Sequence, residues 1–344
     1  MARDPEPVGR VELEAVARSM PADARVRRGA DSDIERMVDF QNRYSTPSQH
    51  TTLEVLLRRR KTNPEPLELT LLAEDAAGSV VAVGTATDGG LMHAADGSWR
   101  LSLHVADRWR HRGVGTAILE ALEAHARANA ATRVVVAVRA TDPEGTAYAL
   151  HRGYRAFHER IDAYVDVSAF DGSRFEDPAV SMSRHGIRLA AYRDLLRENA
   201  ADVEAFERAM ISAVWPMFRD VPSPVALPET PPPFEQGRKM LEGAGLDQTA
   251  TILALKGRDI VGITVTTVNE NGSAYTTFTG VTRAERRLGI ALALKLEVLQ
   301  VLKQRGIKLL GTTNDEKNGP MRRINENLGY VPDPPTTMYA KGLA

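Results

Sequence analysis

Two hydrophobic periodicities alternate along the chain, and their order is the same in both halves. In the first half, residues 26–28 read as a short strand. Asp31 or Ser32 then caps a helix with Ile34, Met37, Val38 and Phe40 on one face, and Ser45, Thr46, Pro47 and Ser48 end it. A second helix is predicted over 53–60, hairpin strands over 67–73 and 80–84 around Gly78, and a strand over 99–105. A helix from about Gly115 to Ala130, an apolar strand over 134–138, a helix ending at Gly153 and strands through Val167 follow. The second half gives a strand near 186–189, helices over 202–214 and 234–242 flanking a proline-rich loop, and hairpin strands over 251–255 and 260–268. A strand over 275–281 comes next. Leu292, Leu296, Leu299 and Leu302 then mark the buried face of a long helix, which Gly306 terminates before a strand over 307–310.

The shared order is a duplication. At a constant offset of 176 residues, Val105 falls on Val281, Arg110 on Arg286, Gly113 on Gly289, Gly153 on Gly329 and Tyr154 on Tyr330. The expected organisation is a weakly ordered tail over 1–23, a first copy over 24–168, a linker over 169–185 and a second copy over 186–344. In each copy the strand ending at Val105 or Val281, the next helix and the next strand form a βαβ unit, and the rest of the sheet is expected to be mainly antiparallel. The fold class is α/β (α+β): two tandem domains, each a mixed, mostly antiparallel twisted sheet flanked by helices.

The 44 basic and 45 acidic side chains leave a net charge of −1, which gives no field for nucleic acid or an anionic membrane. The absence of cysteine removes disulfides, thiolate nucleophiles and cysteine–zinc sites, and fits a cytoplasmic location. No apolar run reaches membrane-spanning length, and residues 1–21 lack the apolar stretch of a signal peptide. The eight histidines form no metal-ligand spacing, so no metal is expected.

The chemistry concentrates at one place in each copy. A strand ending in valine runs into Arg110-His111-Arg112-Gly113-Val114-Gly115, and its counterpart into Arg286-Arg287-Leu288-Gly289-Ile290-Ala291, with an amphipathic helix starting at once. The first N–H groups of a helix lack intrahelical partners and the dipole there favours an anion. Glycines admit the anion closely and the arginines add charge, so the expected ligand is a pyrophosphate. A Walker loop is absent, and Gly113 to Ile118 misses the last small residue of the dinucleotide fingerprint.

Both hexamers instead resemble the acyl-CoA signature Gln/Arg-x-x-Gly-x-Gly/Ala of the GNAT acetyltransferase superfamily, and the duplication resembles its tandem two-domain members. The resemblance covers almost all of residues 24–344. It implies acetyl-CoA as co-substrate in a splayed cleft between two parallel strands, with direct attack by an amine. The implied cofactor contacts are Val281, Arg286, Arg287, Leu288, Gly289, Ile290 and Ala291 in the second copy. In the first they are Val105, Arg110, Arg112, Gly113, Val114, Gly115 and Thr116. Many members place a tyrosine four residues before the glycine of the Leu-Gly-Phe/Tyr motif, where this chain has Ala149 and Asn325. Because Asn314, Asn318 and Asn325 stand where the first copy has Val138, Asp142 and Ala149, the second copy is expected to catalyse. Asn318, Asn325 and Tyr330 are its candidate catalytic residues, with helix capping as the competing role of the asparagines. Asp220, Glu235 and Glu270 are candidates for substrate binding, and Glu229 is a further carboxylate in the same loop. The expected reaction is acetylation of a primary amine on a small molecule. A non-catalytic acyl-CoA sensor and a protein amino-group acetyltransferase are the alternatives, and a homodimer is carried as an option for assembly.

Overall fold

The computed structural model describes residues 9–45, 50, 52–54, 56–57, 68–89, 96–222 and 228–343. Of the helix expected over 53–60, residues 53, 54, 56 and 57 are described and are helical, and the rest lies outside the described residues. The first copy comprises α1 (Gly9–Arg18), β1 (Ala24–Arg28), α2 (Ile34–Asn42), β2 (Glu68–Asp75), β3 (Val80–Thr87), β4 (Ser98–Val105), α3 (Val114–Ala128), β5 (Arg133–Arg139), α4 (Pro143–His151) and β6 (Arg155–Asp166). After α5 (Pro178–Ser183), the second begins with β7 (Ile187–Ala191), α6 (Tyr192–Glu198), α7 (Val203–Arg219) and α8 (Phe234–Ala244). It continues with β8 (Ile252–Lys256), β9 (Asp259–Val268), β10 (Ser273–Val281), α9 (Ile290–Gln304), β11 (Leu309–Asp315), α10 (Gly319–Asn327), β12 (Val331–Pro332) and β13 (Thr336–Gly342).

All the described strands join one sheet in the order β1-β2-β3-β4-β5-β13-β6-β11-β10-β9-β8-β7, with β12 on β6. The last strands of the copies have changed places. β13, from the end of the chain, pairs with β5 of the first copy, from Thr336↔Arg139 to Gly342↔Arg133. β6, the last strand of the first copy, pairs with β11 of the second, from Leu309↔Asp166 to Asp315↔Arg160. The copies are therefore not divided where the repeat divides them: each needs a strand of the other to complete its sheet.

Alternation along the strands sends one set of side chains to α3 and α9 and the other toward α2 and α7. On the α3 side Leu71, Ala82, Leu101, Val134 and Tyr339 pack with Ile118 and Leu122; Tyr339 comes from the exchanged strand. On the α9 side Ala163 and Val165 of β6 pack with Leu294 and Leu299. Across the sheet, Phe40 covers Leu72 and Val83 in the first copy, while Met210 and Met217 cover Leu253, Ile263 and Phe278 in the second.

Three local differences from the sequence reading have physical causes. The segment expected to be a tail forms α1, because Val16 is buried in the first core, 4% exposed. The expected linker contains α5, capped by Asp177, with Met182 fully buried against the second core. These helices occupy equivalent places, so the duplication reaches further than the aligned residues. The helix expected over 202–214 runs through Pro216 to Arg219, carried by Trp215 and Met217 in the core beyond the missing amide.

Candidate functional site

Both βαβ units open as the duplication requires. β4 and β5 pair in parallel from Ser98↔Arg133 only to Arg100↔Val135, and β10 and β11 from Ser273↔Leu309 only to Thr276↔Thr312. Beyond those rungs the strands diverge, and a helix start faces each gap. Gly113 (φ 86°) and Gly289 (φ 80°) are the N-caps of α3 and α9, with no side-chain cap on either. The first intrahelical bonds are Ala117 N–H to Gly113 O and Ala293 N–H to Gly289 O, each 3.0 Å. The three amides ahead of each bond are thus left as donors. The second residue of each motif is also left-handed without being glycine, His111 at φ 57° and Arg287 at φ 71°. Such a conformation costs ~1–2 kcal/mol. Its appearance at matched positions shows that both loops hold one strained, anion-ready backbone.

Arginines of both motifs also brace the backbone of their loops. Arg110 Nε donates to Val105 O (3.4 Å) and Arg286 Nε to Val281 O (3.2 Å), so each braces the turn against its own strand. Arg110 also pairs with Glu144 (3.0 Å). Arg112 lies over the Trp109 ring, 4.2 Å from its centroid, and pairs with Asp23 at 2.7 Å. The amides at each helix start stay open to an anion.

In the first copy these features line a cleft of about 340 Å³ with Leu103, Val105, Gly113, Gly115, Thr116 and Tyr148 on its walls. The Val114 side chain is buried, so it offers only its amide. Tyr148 was missed by counting back from Gly153 to Ala149. Ala149 points into the core, 4% exposed, whereas Tyr148, one residue earlier, lines the cleft and donates to Thr116 Oγ1 at 3.3 Å. Burial raises its phenol above the ordinary tyrosine value, which keeps the proton on oxygen. On the other face of β4, His104 stacks on Tyr44 with centroids 5.5 Å apart. Burial, followed by the charge of Arg139, lowers its pKa to about 4, so the ring is neutral at pH 7.

In the second copy the candidate catalytic residues lie on and just beyond α10. Asn325, like Ala149, points inward and is 3% exposed, and Ile324 holds the position of Tyr148. Asn318 caps α10, accepting from Met321 N–H at 3.4 Å. Tyr330 is buried under Lys295, whose Nζ lies 5.0 Å from the ring centroid. Asn325 and Tyr330 are buried, and Asn318 is half-buried at the start of α10. Leu288 and Ile290 pack into the second core and leave only backbone for a ligand. Asp220, just after α7, accepts from Arg283 Nε at 2.9 Å and also from Arg286, and these bonds hold its pKa down to about 2. Glu235 is exposed on α8 and pairs with Arg238 at 3.3 Å. Glu270 lies in the turn from β9 to β10, at the opposite end of β10 from the loop, roughly 26 Å away at ~3.3 Å per residue.

Lys295 is the outlier of the second core. It is 2% exposed, its Nζ has no hydrogen-bond partner among the described residues, and the equivalent position in the first copy is Leu119. Burial lowers its pKa from 10.5 to about 7. The folded state then binds fewer protons than the unfolded chain between those values, so stability should rise with pH across that window. Lys295→Leu is expected to stabilise the protein by on the order of 2 kcal/mol at pH 7 and to flatten that rise. Thermal melts at pH 7 and pH 9 check this; an unchanged slope would mean the amine is not desolvated.

Among the described residues no cluster of three His, Asp or Glu could hold a metal, and no helix is long and apolar enough to cross a membrane. Residues 34–154 match the acetyltransferase (GNAT) family. The match covers the copy with the open cleft and Tyr148. No curated protein sequence matches the chain. A GCN5-related N-acetyltransferase from Sphaerobacter thermophilus superposes with a TM-score of 0.69 at 20% identity, over 94% of this chain and 97% of that one. A tandem GNAT protein from the clavulanic acid biosynthesis pathway gives 0.68 at 16%, over 93% and 99%. The glucosamine N-acetyltransferase region of a fungal β-N-acetylglucosaminidase gives 0.67 at 14%, over 93% of this chain and 38% of that one. The chain has the tandem GNAT fold, and its residues 34–154 match the acetyltransferase (GNAT) family.

Proposed function

We propose that the protein is an N-acetyltransferase that moves an acetyl group from acetyl-CoA to a primary amine of a small molecule, by direct attack in a ternary complex, and that the first copy performs the reaction. The observation that carries this reading is the cleft in which the uncapped start of α3, the splayed end of β4 and the Tyr148 hydroxyl meet. The residues fit the co-substrate. A Cβ built on Gly113 would meet nothing closer than Ser19 O at 3.7 Å, so its φ rather than crowding requires glycine, and the space above the amides is open. The amides of 114–116 would hold the pyrophosphate, and Leu103 and Val105 the pantetheine.

When bound, acetyl-CoA supplies an acyl thioester whose sulfur departs as a thiolate. The neutral His104 ring, on the opposite face of β4, accepts a hydrogen bond from an N–H of the attacking amine; at a pKa of about 4 it does not hold the proton, which passes on to the departing thiolate or to water. Tyr148 keeps its proton and donates a hydrogen bond to the charge developing on sulfur. A thiolate with pKa near ~8.5 is a weaker base than a tyrosinate, so full proton delivery is not required. Hydrogen bonds to charged groups contribute ~1.5–3 kcal/mol, so Tyr148→Phe should lower kcat roughly 10- to 100-fold while acetyl-CoA binding is retained. A steady-state assay of CoA release, with binding measured by calorimetry, tests this; an unchanged kcat removes Tyr148 from the chemistry.

For the second copy, Ile324 at the tyrosine position and Asp220 across the loop arginines favour a non-catalytic role, either a scaffold or an acyl-CoA-binding copy that does not turn over.

A further inference from the structure

The α2 side of the first copy carries a row of side chains that ends in His104. Leu72 of β2, Val83 of β3 and His104 of β4 stand opposite one another across the antiparallel strands. α2 and the turn after it cover the row. Phe40, 2% exposed, packs on Leu72 and Val83. Tyr44 follows one helical turn later, its N–H bonded to Gln41 O at 2.9 Å. Its ring lies over His104, with centroids 5.5 Å apart and planes 18° from parallel, and Phe40 backs it at 5.4 Å. The last rung between β4 and β5 is Arg100↔Val135, so His104 stands on the diverging stretch of β4. Among the described residues the imidazole makes no hydrogen bond, and its plane is set by packing against Tyr44.

The second copy fills the same place with a different ring. Gly280 stands at the His104 position, and a Cβ built there would run into the Phe278 ring and Met217. Phe278 in turn meets Phe218, near the end of α7, edge-on with centroids 5.3 Å apart. Phenylalanine thus suffices to fill the space, whereas the first copy keeps an imidazole, which also has a lone pair to offer. Burial does most to lower the pKa of that ring; Arg139 and Arg110 act in the same direction and Asp142 against them.

We infer that Tyr44 is a positioning residue for the transfer: backed by Phe40, it clamps the His104 imidazole on the diverging stretch of β4, shields it from water and presents it to the acceptor amine in one orientation. This rests on the acetyltransferase reading of the first copy. The clamp acts through the face of the phenol ring, not through its hydroxyl. Tyr44→Phe therefore keeps it, whereas Tyr44→Leu keeps apolar volume without a face to stack on.

The test uses the full chain, acetyl-CoA and a panel of small primary amines, with two readouts. NMR titration of the histidine resonances, assigned with a His104→Asn variant, reads the clamp without turnover; kcat and KM are measured on the same samples. Tyr44→Phe is expected to leave the His104 titration and kcat as in the wild type. In Tyr44→Leu water reaches the imidazole, and its titration should move up from about 4 toward the ordinary histidine value of ~6.5. Misorientation of the ring should lower kcat on the order of tenfold, with the KM for acetyl-CoA unchanged. That loss should deepen from pH 8 to pH 6, as part of the imidazole becomes charged, and should disappear when His104→Asn is already present. A His104 titration that Tyr44→Leu does not move overturns the inference, and so does a moved titration with an unchanged kcat. A moved titration in a protein whose wild type acetylates no amine keeps the clamp and removes the acetyltransferase reading instead.

Discussion

Removing residues 335–344 from the end of the chain is expected to unfold the first copy rather than the second. The segment supplies β13, the partner of β5 along seven rungs from Arg133 to Arg139, and without it β5 keeps only its short parallel pairing with β4. Tyr339 and Leu343, 6% and 5% exposed, leave the core beneath α3. Lys341 leaves the buried Glu123 carboxylate, which it meets at 2.6 Å and which also accepts the Tyr154 hydroxyl at 2.8 Å. Loss of one large aromatic side chain from a core costs ~3–5 kcal/mol, and a whole domain is stable by only ~5–15 kcal/mol. With the strand and the buried ion pair lost as well, little stability remains. Hydrogen exchange on full-length and shortened chains should show α3, β4 and β5 losing protection, while β8, β9 and β10 keep theirs. Adding a peptide of residues 335–344 should restore it. Loss of protection centred on β10 and β11, with β4 and β5 unaffected, would mean that the terminal strand belongs to the second copy as its sequence position suggests.

That exchange could not be read from the chain, and the reason is physical. An alternating strand specifies which face is buried, but not which of two homologous sheets receives it. β6 and β13 descend from the same repeat position, both are antiparallel to their neighbours, and either sheet offers a similar register. The parallel βαβ units were legible because their signals are local: a strand ending in valine, a glycine in the left-handed region and an apolar stripe such as Leu292, Leu296, Leu299 and Leu302. The backbone cradle was legible for the same reason, whereas the bracing bonds of its arginines were not. Charge in a sequence carries no direction, and here Arg110 and Arg286 turn back to the carbonyls of Val105 and Val281.

Among the polar residues that pointed to the second copy, Asn314, Asn325 and Tyr330 are buried and Asn318 is half-buried. Asn325 stands at a position counted from the glycine of its motif, but successive helical residues are rotated by ~100°, so an offset of one residue separates the cleft from the core. In the first copy that offset makes Tyr148 the cleft residue and Ala149 the core residue; in the second it gives Ile324 and Asn325. Duplication is informative here because one copy serves as a reference for the other. Where the first core holds Leu119 and Ala149, the second buries Lys295 and Asn325 without hydrogen-bond partners among the described residues, a cost that an apolar pair avoids. Where the second copy holds Gly280, without room for a Cβ against Phe278 and Met217, the first places His104 stacked on Tyr44.

Gly113→Glu should abolish acetyl transfer, whereas Gly289→Glu should leave it nearly intact. Both glycines sit near φ 80–86°, where a side chain costs ~1–2 kcal/mol, and both substitutions put a carboxylate at the start of a helix whose free amides would hold a pyrophosphate. The glutamate offers those amides an internal anion and repels the diphosphate, so the affinity of that loop for acetyl-CoA should fall by a factor on the order of 100 or more, about 3 kcal/mol. The effect on turnover then depends only on which copy works. Calorimetric titration of acetyl-CoA into the wild-type protein and both variants, with turnover measured on the same samples, separates the cases. Activity lost with Gly113→Glu and kept with Gly289→Glu places the chemistry beside Tyr148. The reverse pattern would move it to the second copy despite Ile324. A wild-type protein that binds no acetyl-CoA would mean that neither cradle serves that ligand, and the duplicated loops would then need another anion to explain why both keep a strained residue at His111 and Arg287.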